Sequence, residues 1–269
     1  MKIIWGKTNR MDIEIKKTVK AGNSSAVILP RAWLNKEVRV ELVKKTPEII
    51  LRDIINISKK YIPQEKIMGI YLVGSYARKE ENGDSDIDIL IISDDIDKEP
   101  VHDGIYSILI ISWDLLEWKL KNNLLPVGPM IKEAIPLINS AYLDIIKEQV
   151  VVTKKNVKWY IDTTEEKLGL IRKLLKSKKK KIGNRAAYTL VLRIRTLQLI
   201  KKLIKNKKYS KESLIKLVEI VAGSNKAYNA YLAIKNNEER DDTTTKEEVI
   251  QLCHYLEKQL NDVRHLLKY

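Results

Sequence analysis

The sequence predicts an α+β protein in three parts: a small β unit at residues 1–45, a mixed sheet with helices at 46–153, and a helical bundle at 154–269. Three observations predict it. Apolar residues alternate with period two on both sides of an early Gly-Asn turn, buried-strand runs alternate with helical stripes through the middle, and only 3.6-residue stripes remain after residue 158. With 269 residues and 44% hydrophobic content, the chain can build more than one core.

The first part reads DIEIKKTVKAGNSSAVILPRAWLNKEVRVELV over residues 12–43. Ile13 and Ile15 precede the Gly22-Asn23 turn, and Val38, Val40 and Leu42 lie well after it, so strands are expected at both ends. Between them AVILP predicts a short buried strand stopped by Pro30, and RAWLN at most one helical turn. In the second part Pro47 opens a helix whose apolar stripe falls at 49, 50, 54, 57 and 61. IMGIYLVGS predicts a buried strand, SYARKEENGDSD a short helix and loop, IDILIIS a second strand and GIYSILIIS a third. DLLEWKLKNN then predicts a helix capped by Asp114, PVGPM a turn, and IKEAIPLINSAYLDIIKEQ a helix interrupted near Pro136. In the third part, stripes at 168, 171, 175 and at 190, 194, 197, 200, 204 predict amphipathic helices. Ser210 caps KESLIKLVEIVA, which ends at Gly223, and Thr245 with Glu248 forms a capping box for the last helix of the bundle.

Lys and Arg outnumber Asp and Glu by 50 to 35, a net charge of +15 that points to an anionic partner such as nucleic acid or nucleotide. Nineteen of these basic residues, against three acids, lie between Lys154 and Lys208, so the rest of the chain is close to neutral. Lys178, Lys179, Lys180 and Lys181 form a basic run that, with Arg193, is a candidate contact to the phosphates of a nucleic acid or an acceptor. The single cysteine, Cys253, excludes an internal disulfide framework, and its neighbours Leu252, Leu256 and Leu260 make it an ordinary helix position. His102, His254 and His265 are scattered, with no zinc-ligand spacing. The first residues lack the apolar core of a signal peptide and no run approaches the roughly 18 apolar residues of a membrane span, so a cytoplasmic protein with no membrane partner is expected.

The chemistry concentrates in VGSYARKEENGDSDIDILII, residues 73–92. Gly74 ends a buried strand at a sharp turn, and without a side chain it lets backbone amides come close to a phosphate. Ser75 opens the next helix, adding a hydroxyl and free N–H groups, and Arg78 stands one turn on. Asp86 and Asp88 stand at i and i+2 of a strand, so they project from one face roughly 6.5–7 Å apart, a spacing suited to a divalent ion shared with a triphosphate. Ile87, Ile89 and Ile91 take the opposite face and bury it.

GSYAR followed by GDSDIDILII resembles the signature of the DNA polymerase β superfamily of nucleotidyltransferases, in its minimal archaeal and kanamycin-nucleotidyltransferase-like branch. Gly74, Ser75, Arg78, Asp84, Ser85, Asp86 and Asp88 match it position by position. The resemblance implies a mixed sheet carrying the site, with Gly74, Ser75, Arg78 and Ser85 binding ATP or another NTP. It implies Mg²⁺ or Mn²⁺ on Asp86 and Asp88, which would also be the catalytic acids. The family normally supplies a third carboxylate from the next strand, and Ser107 stands in that place here. Asp103 and His102 are the nearest groups able to replace it as a base. Residues 12–43 resemble AbrB-like swapped-hairpin domains, carried by Gly22, Asn23, Ser24, the apolar Val27 to Leu29, Pro30 and the VRVELV segment, with Asn35-Lys36 in place of the usual Gly-Asp turn. That resemblance implies a homodimer and DNA binding. The Arg-x4–6-His motif of HEPN-type ribonuclease helices is absent, so RNA cleavage is not expected.

Two functions follow from this reading. The first is a metal-dependent transfer of AMP from ATP to a hydroxyl or phosphate on an RNA end, a protein or a small molecule. The second is a catalytically degenerate transferase fold that acts as a DNA-binding regulator or antitoxin-like partner protein, favoured by the serine at position 107.

Overall fold

The computed structural model describes residues 14–16, 18–42, 45–83, 85–176, 183–238 and 244–268. It is α+β, with a two-stranded hairpin, a five-stranded mixed sheet and a helical region that follows it. The hairpin pairs β1 (Val19–Ala21) with β2 (Ser24–Ala26) around Gly22, whose φ of +59° suits a residue without a side chain. The buried strand expected at AVILP is not formed: β2 stops at Ala26 and Ile28 stays largely exposed. Residues 36–42 are likewise not a strand, although their alternation is perfect. A strand needs a neighbour to accept its hydrogen bonds, and this segment has none among the described residues, where Val40 is 71% and Leu42 94% exposed.

The central sheet is built from β3 (Ile67–Val73), β4 (Ile87–Ser93), β5 (Lys98–Asp103), β6 (Tyr106–Ser112) and β7 (Ile135–Ile138), in the order β5-β6-β4-β3-β7. Only β4 and β6 run parallel; the other neighbours are antiparallel. Helix α1 (Pro47–Ser58) starts at the expected proline and lays Ile50, Ile54 and Ile57 on one face of the sheet, against Ile70, Leu72, Ile87, Ile89, Ile91, Ile108 and Ile110. The other face, with Tyr71, Val73, Leu90, Ile92 and Ile111, is covered by α3 (Trp113–Asn122), α4 (Val127–Glu133) and α5 (Ser140–Gln149). Each isoleucine run therefore supplies two cores, one per face, by strand alternation.

Three expectations for this part are corrected. PVGPM is not a turn but lies within α4, which Pro126 precedes and Pro129 joins in the first turn, where a missing N–H costs nothing. The helix expected through Pro136 gives way to β7, an edge strand that tolerates proline because one side of its backbone needs no partner. Ser112, not Asp114, caps α3, its hydroxyl accepting from the Leu115 N–H at 3.2 Å. The edge strand β5 was not foreseen, since KEPVHD is charged and carries a proline, features that suit an edge.

The helical part consists of α6 (Lys154–Lys176), α7 (Asn184–Ile204), α8 (Lys211–Ala222), α9 (Lys226–Lys235) and α10 (Lys246–Leu266). The Ser210 cap, the left-handed Gly223 terminus and the Thr245–Glu248 capping box form as the sequence predicts. Leu190, Ile194, Leu197 and Ile200 are buried along the predicted stripe of α7, and buried Cys253 has its thiol pushed up to about 11 by burial. One apolar cluster continues from Tyr71 in the sheet to Val263 in α10, so sheet and bundle share a core. Buried Asn156 pins the junction, donating to the Leu120 and Val151 carbonyls at 2.7 and 2.9 Å. Among the described residues no helix is long and apolar enough to cross a membrane.

Candidate active site

The site forms where β3 and β4 end side by side. Val73 pairs with Asp88, so the turn that follows β3 lies directly against the Asp88 carboxylate. Gly74 adopts φ +70°, and a Cβ there would stand 2.1 Å from Asp88 Oδ2. Only glycine fits, on both counts. Ser75, half-buried, follows in helix α2 (Gly74–Arg78), which begins at this turn.

Asp86 immediately precedes β4 and is exposed, while Asp88 is half-buried within it. Burial, and next the charge of Asp86, hold the Asp88 carboxyl above the usual aspartate range. Two carboxylates this close form a hard-oxygen donor pair, the chemistry that Mg²⁺ or Mn²⁺ takes. Among the described residues no group of three or more His, Cys, Asp or Glu is arranged to hold a metal ion.

Register places Ser107 beside Asp88. Asp88 pairs with Ser107 on β6, and Ser107 pairs with His102 on β5, so the three stand in one row on one face of the sheet. Asp103 falls on the opposite face, where it binds Lys60 at 2.8 Å. Of the two nearby groups, only His102 shares a face with Asp88.

Glu133, at the end of α4, has no counterpart in the sequence reading. Its carboxylate accepts from the Gly74 N–H at 3.0 Å and from Arg78 Nη1 at 2.8 and 2.7 Å. Burial pushes the Glu133 carboxyl up, and the Arg78 charge and the Gly74 amide offset this. Arg78 also donates from Nε to Glu80 at 2.9 Å, and Glu80 in turn accepts from the Lys211 N–H at the start of α8. Arg78 is thus a clamp joining the turn, α4 and the bundle. Ser85 closes the loop before β4: its hydroxyl donates to Asn82 Oδ1 and accepts from the Asn82 N–H, both at 2.9 Å. Asp84 and Lys178, Lys179, Lys180 and Lys181 lie outside the described residues.

The two arginines of α7 diverge, as residues two apart on a helix must. Arg193 turns to α6, donating to Thr163 at 2.9 Å and lying over the Trp159 ring; its Nε is buried with no partner among the described residues. Arg195 turns toward the site, donating to the Tyr231 hydroxyl at 3.2 Å and lying over Tyr209, whose ring also carries Arg78. Lys235, one turn beyond Tyr231 on α9, is close enough to lower the proton affinity of Asp88. The structure therefore brings Gly74, Asp86 and Asp88 together and adds Glu133, Arg195, Tyr209 and Lys235 around them, while Arg193 stands apart. Tertiary pairing assembled the added group; the sequence signal was limited to acids and cations on helices of unknown orientation.

A family model for the nucleotidyltransferase domain matches residues 51–220 of this chain. The chain belongs to that family. The match begins in α1, takes in the whole sheet and runs to the end of α8. Solved structures that align with the chain include a nucleotidyltransferase-like protein from Exiguobacterium sibiricum 255-15, with 15% identity over 81% of this chain and 77% of that one and a TM-score of 0.37. Another is the spectinomycin adenyltransferase AAD(9) from Enterococcus faecialis, solved with ATP and spectinomycin, with 13% identity over 78% of this chain and 99% of that one and a TM-score of 0.41. A third, a toxin-antitoxin with AMP-PNP, shares 18% identity over 46% of this chain and 97% of the other, with a TM-score of 0.25. These scores are low, and family membership rests on the sequence match. No curated protein matches the chain.

Proposed function

We propose that this nucleotidyltransferase transfers AMP from ATP to a hydroxyl or phosphate group of an acceptor. The observation that supports the reading is the close approach of the Gly74 turn to Asp88, which sets the start of α2 directly beside the carboxylate pair. Gly74 and Ser75 hold and orient the triphosphate; Arg78 and Glu133 keep that turn in shape, and Ser85 closes the loop that presents Asp86. Arg195 and Lys235 draw the anionic tail from the bundle side. Asp86 and Asp88 would hold Mg²⁺ or Mn²⁺, which supplies charge neutralisation on the phosphoryl oxygens when bound. The acceptor oxygen forms a bond to the α-phosphorus, the bond from that phosphorus to the α–β bridging oxygen breaks, and pyrophosphate leaves. His102 takes the proton of an acceptor hydroxyl, replacing the acid absent at Ser107.

The N-terminal unit supports a separate role. Its exposed Val38, Val40 and Leu42 suit pairing with a second copy, and a homodimer joined there would present the hairpins to DNA in the cytoplasm. The alternative, a DNA-binding regulator or antitoxin-like partner without turnover, is favoured by Ser107 in the place of a third acid.

The test is label transfer from α-labelled ATP with Mg²⁺ and cell extract. Transfer lost in Asp86→Asn and Asp88→Asn supports the enzyme; no transfer from the parent protein, with tight salt-dependent DNA binding, supports the regulator. For the base, His102→Gln should lower kcat at unchanged ATP affinity, and Ser107→Asp in that background should restore it. If Ser107→Asp restores nothing, the row from Asp88 to His102 is not the proton path.

A further inference from the structure

A cavity of about 560 Å³ opens beside Asp88 and reaches from Val73, at the end of β3, across to β6 and β5. Asp88 and Ser107 are part of its lining. Its floor and walls are apolar: Leu109 from the sheet, Leu115 from α3, and Val127 and Met130 from α4. Leu109, Leu115 and Met130 pack on the core below yet remain partly exposed, so their outer surfaces face the opening. This is the size range of a small-ligand site, about 300–1,000 Å³, and the same apolar character.

Its place relative to Asp88 says which substrate it serves. An in-line displacement needs the incoming oxygen and the departing pyrophosphate on opposite sides of the phosphorus. Arg195 and Lys235 mark the phosphate side and neither lines the cavity, which leaves the cavity for the incoming group. The charges at the cavity then limit the class of molecule. Glu99 and Asp97 stand against Lys98 and Lys119 there, and Asp97 is already bound to Ser112, accepting from its N–H at 2.7 Å and its hydroxyl at 3.0 Å. A nucleic acid end brings phosphates that call for a basic lining, and this lining has no excess of positive charge.

We propose that this cavity is the acceptor subsite, and that the acceptor is a small molecule with an apolar body and a hydroxyl group directed at Asp88. The proposal rests on the transferase reading above. The hydroxyl oxygen joins the α-phosphorus, pyrophosphate departs, and the hydroxyl proton passes to His102 or water, so the product is a nucleotidylated small molecule plus pyrophosphate.

The experiment supplies the protein with α-labelled ATP and Mg²⁺, and separately with the small-molecule and macromolecular fractions of a cell extract. It is run on the parent protein, Met130→Trp and Leu109→Phe, with ATP affinity measured for each. The expected result is label in the small-molecule fraction, lost about tenfold or more when either side chain fills the cavity, at unchanged ATP affinity. Unchanged ATP affinity also shows that the variants are folded, and if one fails to fold the other decides. Label that enters only protein or RNA overturns the proposal while leaving the transferase reading standing. So does small-molecule labelling that neither variant reduces. Weakened ATP binding in both folded variants assigns the cavity to the nucleotide and overturns the acceptor role. Absence of label in either fraction overturns the transferase reading and this one with it.

Discussion

Two stretches of this chain have strand-like apolar patterns, alternating in residues 38–42 and nearly continuous in β4, and they meet opposite fates. In residues 38–42 the apolar side chains stand in water, Leu42 at 94% exposure; in β4 the run from Ile87 to Ser93 is buried on both faces, Leu90 at 0%. Strand β4 has β3 and β6 to take its backbone hydrogen bonds and helices over each face, while residues 38–42 have neither among the described residues. Alternation decides which side chains share a face. Whether that face is covered depends on what else the chain, or a second chain, brings to it.

That contrast predicts a graded series. Leu90→Ala should cost about 2–5 kcal/mol of folding stability in urea denaturation, because it leaves a cavity between sheet and bundle. Asp88→Asn should reduce label transfer by about 10²-fold or more. Its stability should hold or rise. The folded Asp88 carboxyl titrates above its unfolded value, so its ionised form opposes folding at neutral pH, and asparagine removes that cost. Glu133→Ala should cost about 1.5–3 kcal/mol, since it strips the Gly74 N–H and Arg78 of a buried carboxylate, and thermal unfolding with and without ATP would show the turn loosening.

Glu80 should contribute about 1 kcal/mol in a pH-dependent way. Although burial acts against its charge, Arg78 and the Lys211 N–H hold its carboxyl below the usual glutamate range. Its contribution is therefore present above the unfolded value of about 4.3 and fades as pH falls through the lowered folded value. The stability difference between parent and Glu80→Gln should shrink over that acid window; a constant difference would break the assignment. Leu42→Ser should shift dilute-protein stability by less than about 0.5 kcal/mol. A larger loss that appears only as protein concentration rises would mean that a second copy covers this face.

Much of the central region was legible from local pattern. Strands β3, β4 and β6, helix α1, the caps at Ser210 and Thr245 and the left-handed Gly223 all depend on residues near one another in sequence. The misses share a cause. Strand β7 contains a proline and its local pattern is that of an interrupted helix, yet it is a strand because β3 offers an open edge to it. Residues 36–42 look like a strand and are not, for want of such an edge. The site divides in the same way. Gly74, Asp86 and Asp88 declare themselves through spacing, whereas Glu133 meets the Gly74 turn from 59 residues away.

By itself, then, the sequence determined the pair of acids on one strand face, the glycine turn before them and the serine where a third acid is usual. Those are consequences of alternation and of glycine's backbone freedom, both local. Only the tertiary structure decided that His102 and not Asp103 shares the row with Asp88, that Arg78 is held by Glu80 and Glu133, that Arg195 and not Arg193 turns toward the site, and that an apolar cavity opens beside Ser107. Each of these depends on which strand lies next to which and how a helix is rotated about its axis, and those are fixed by burial across the whole fold.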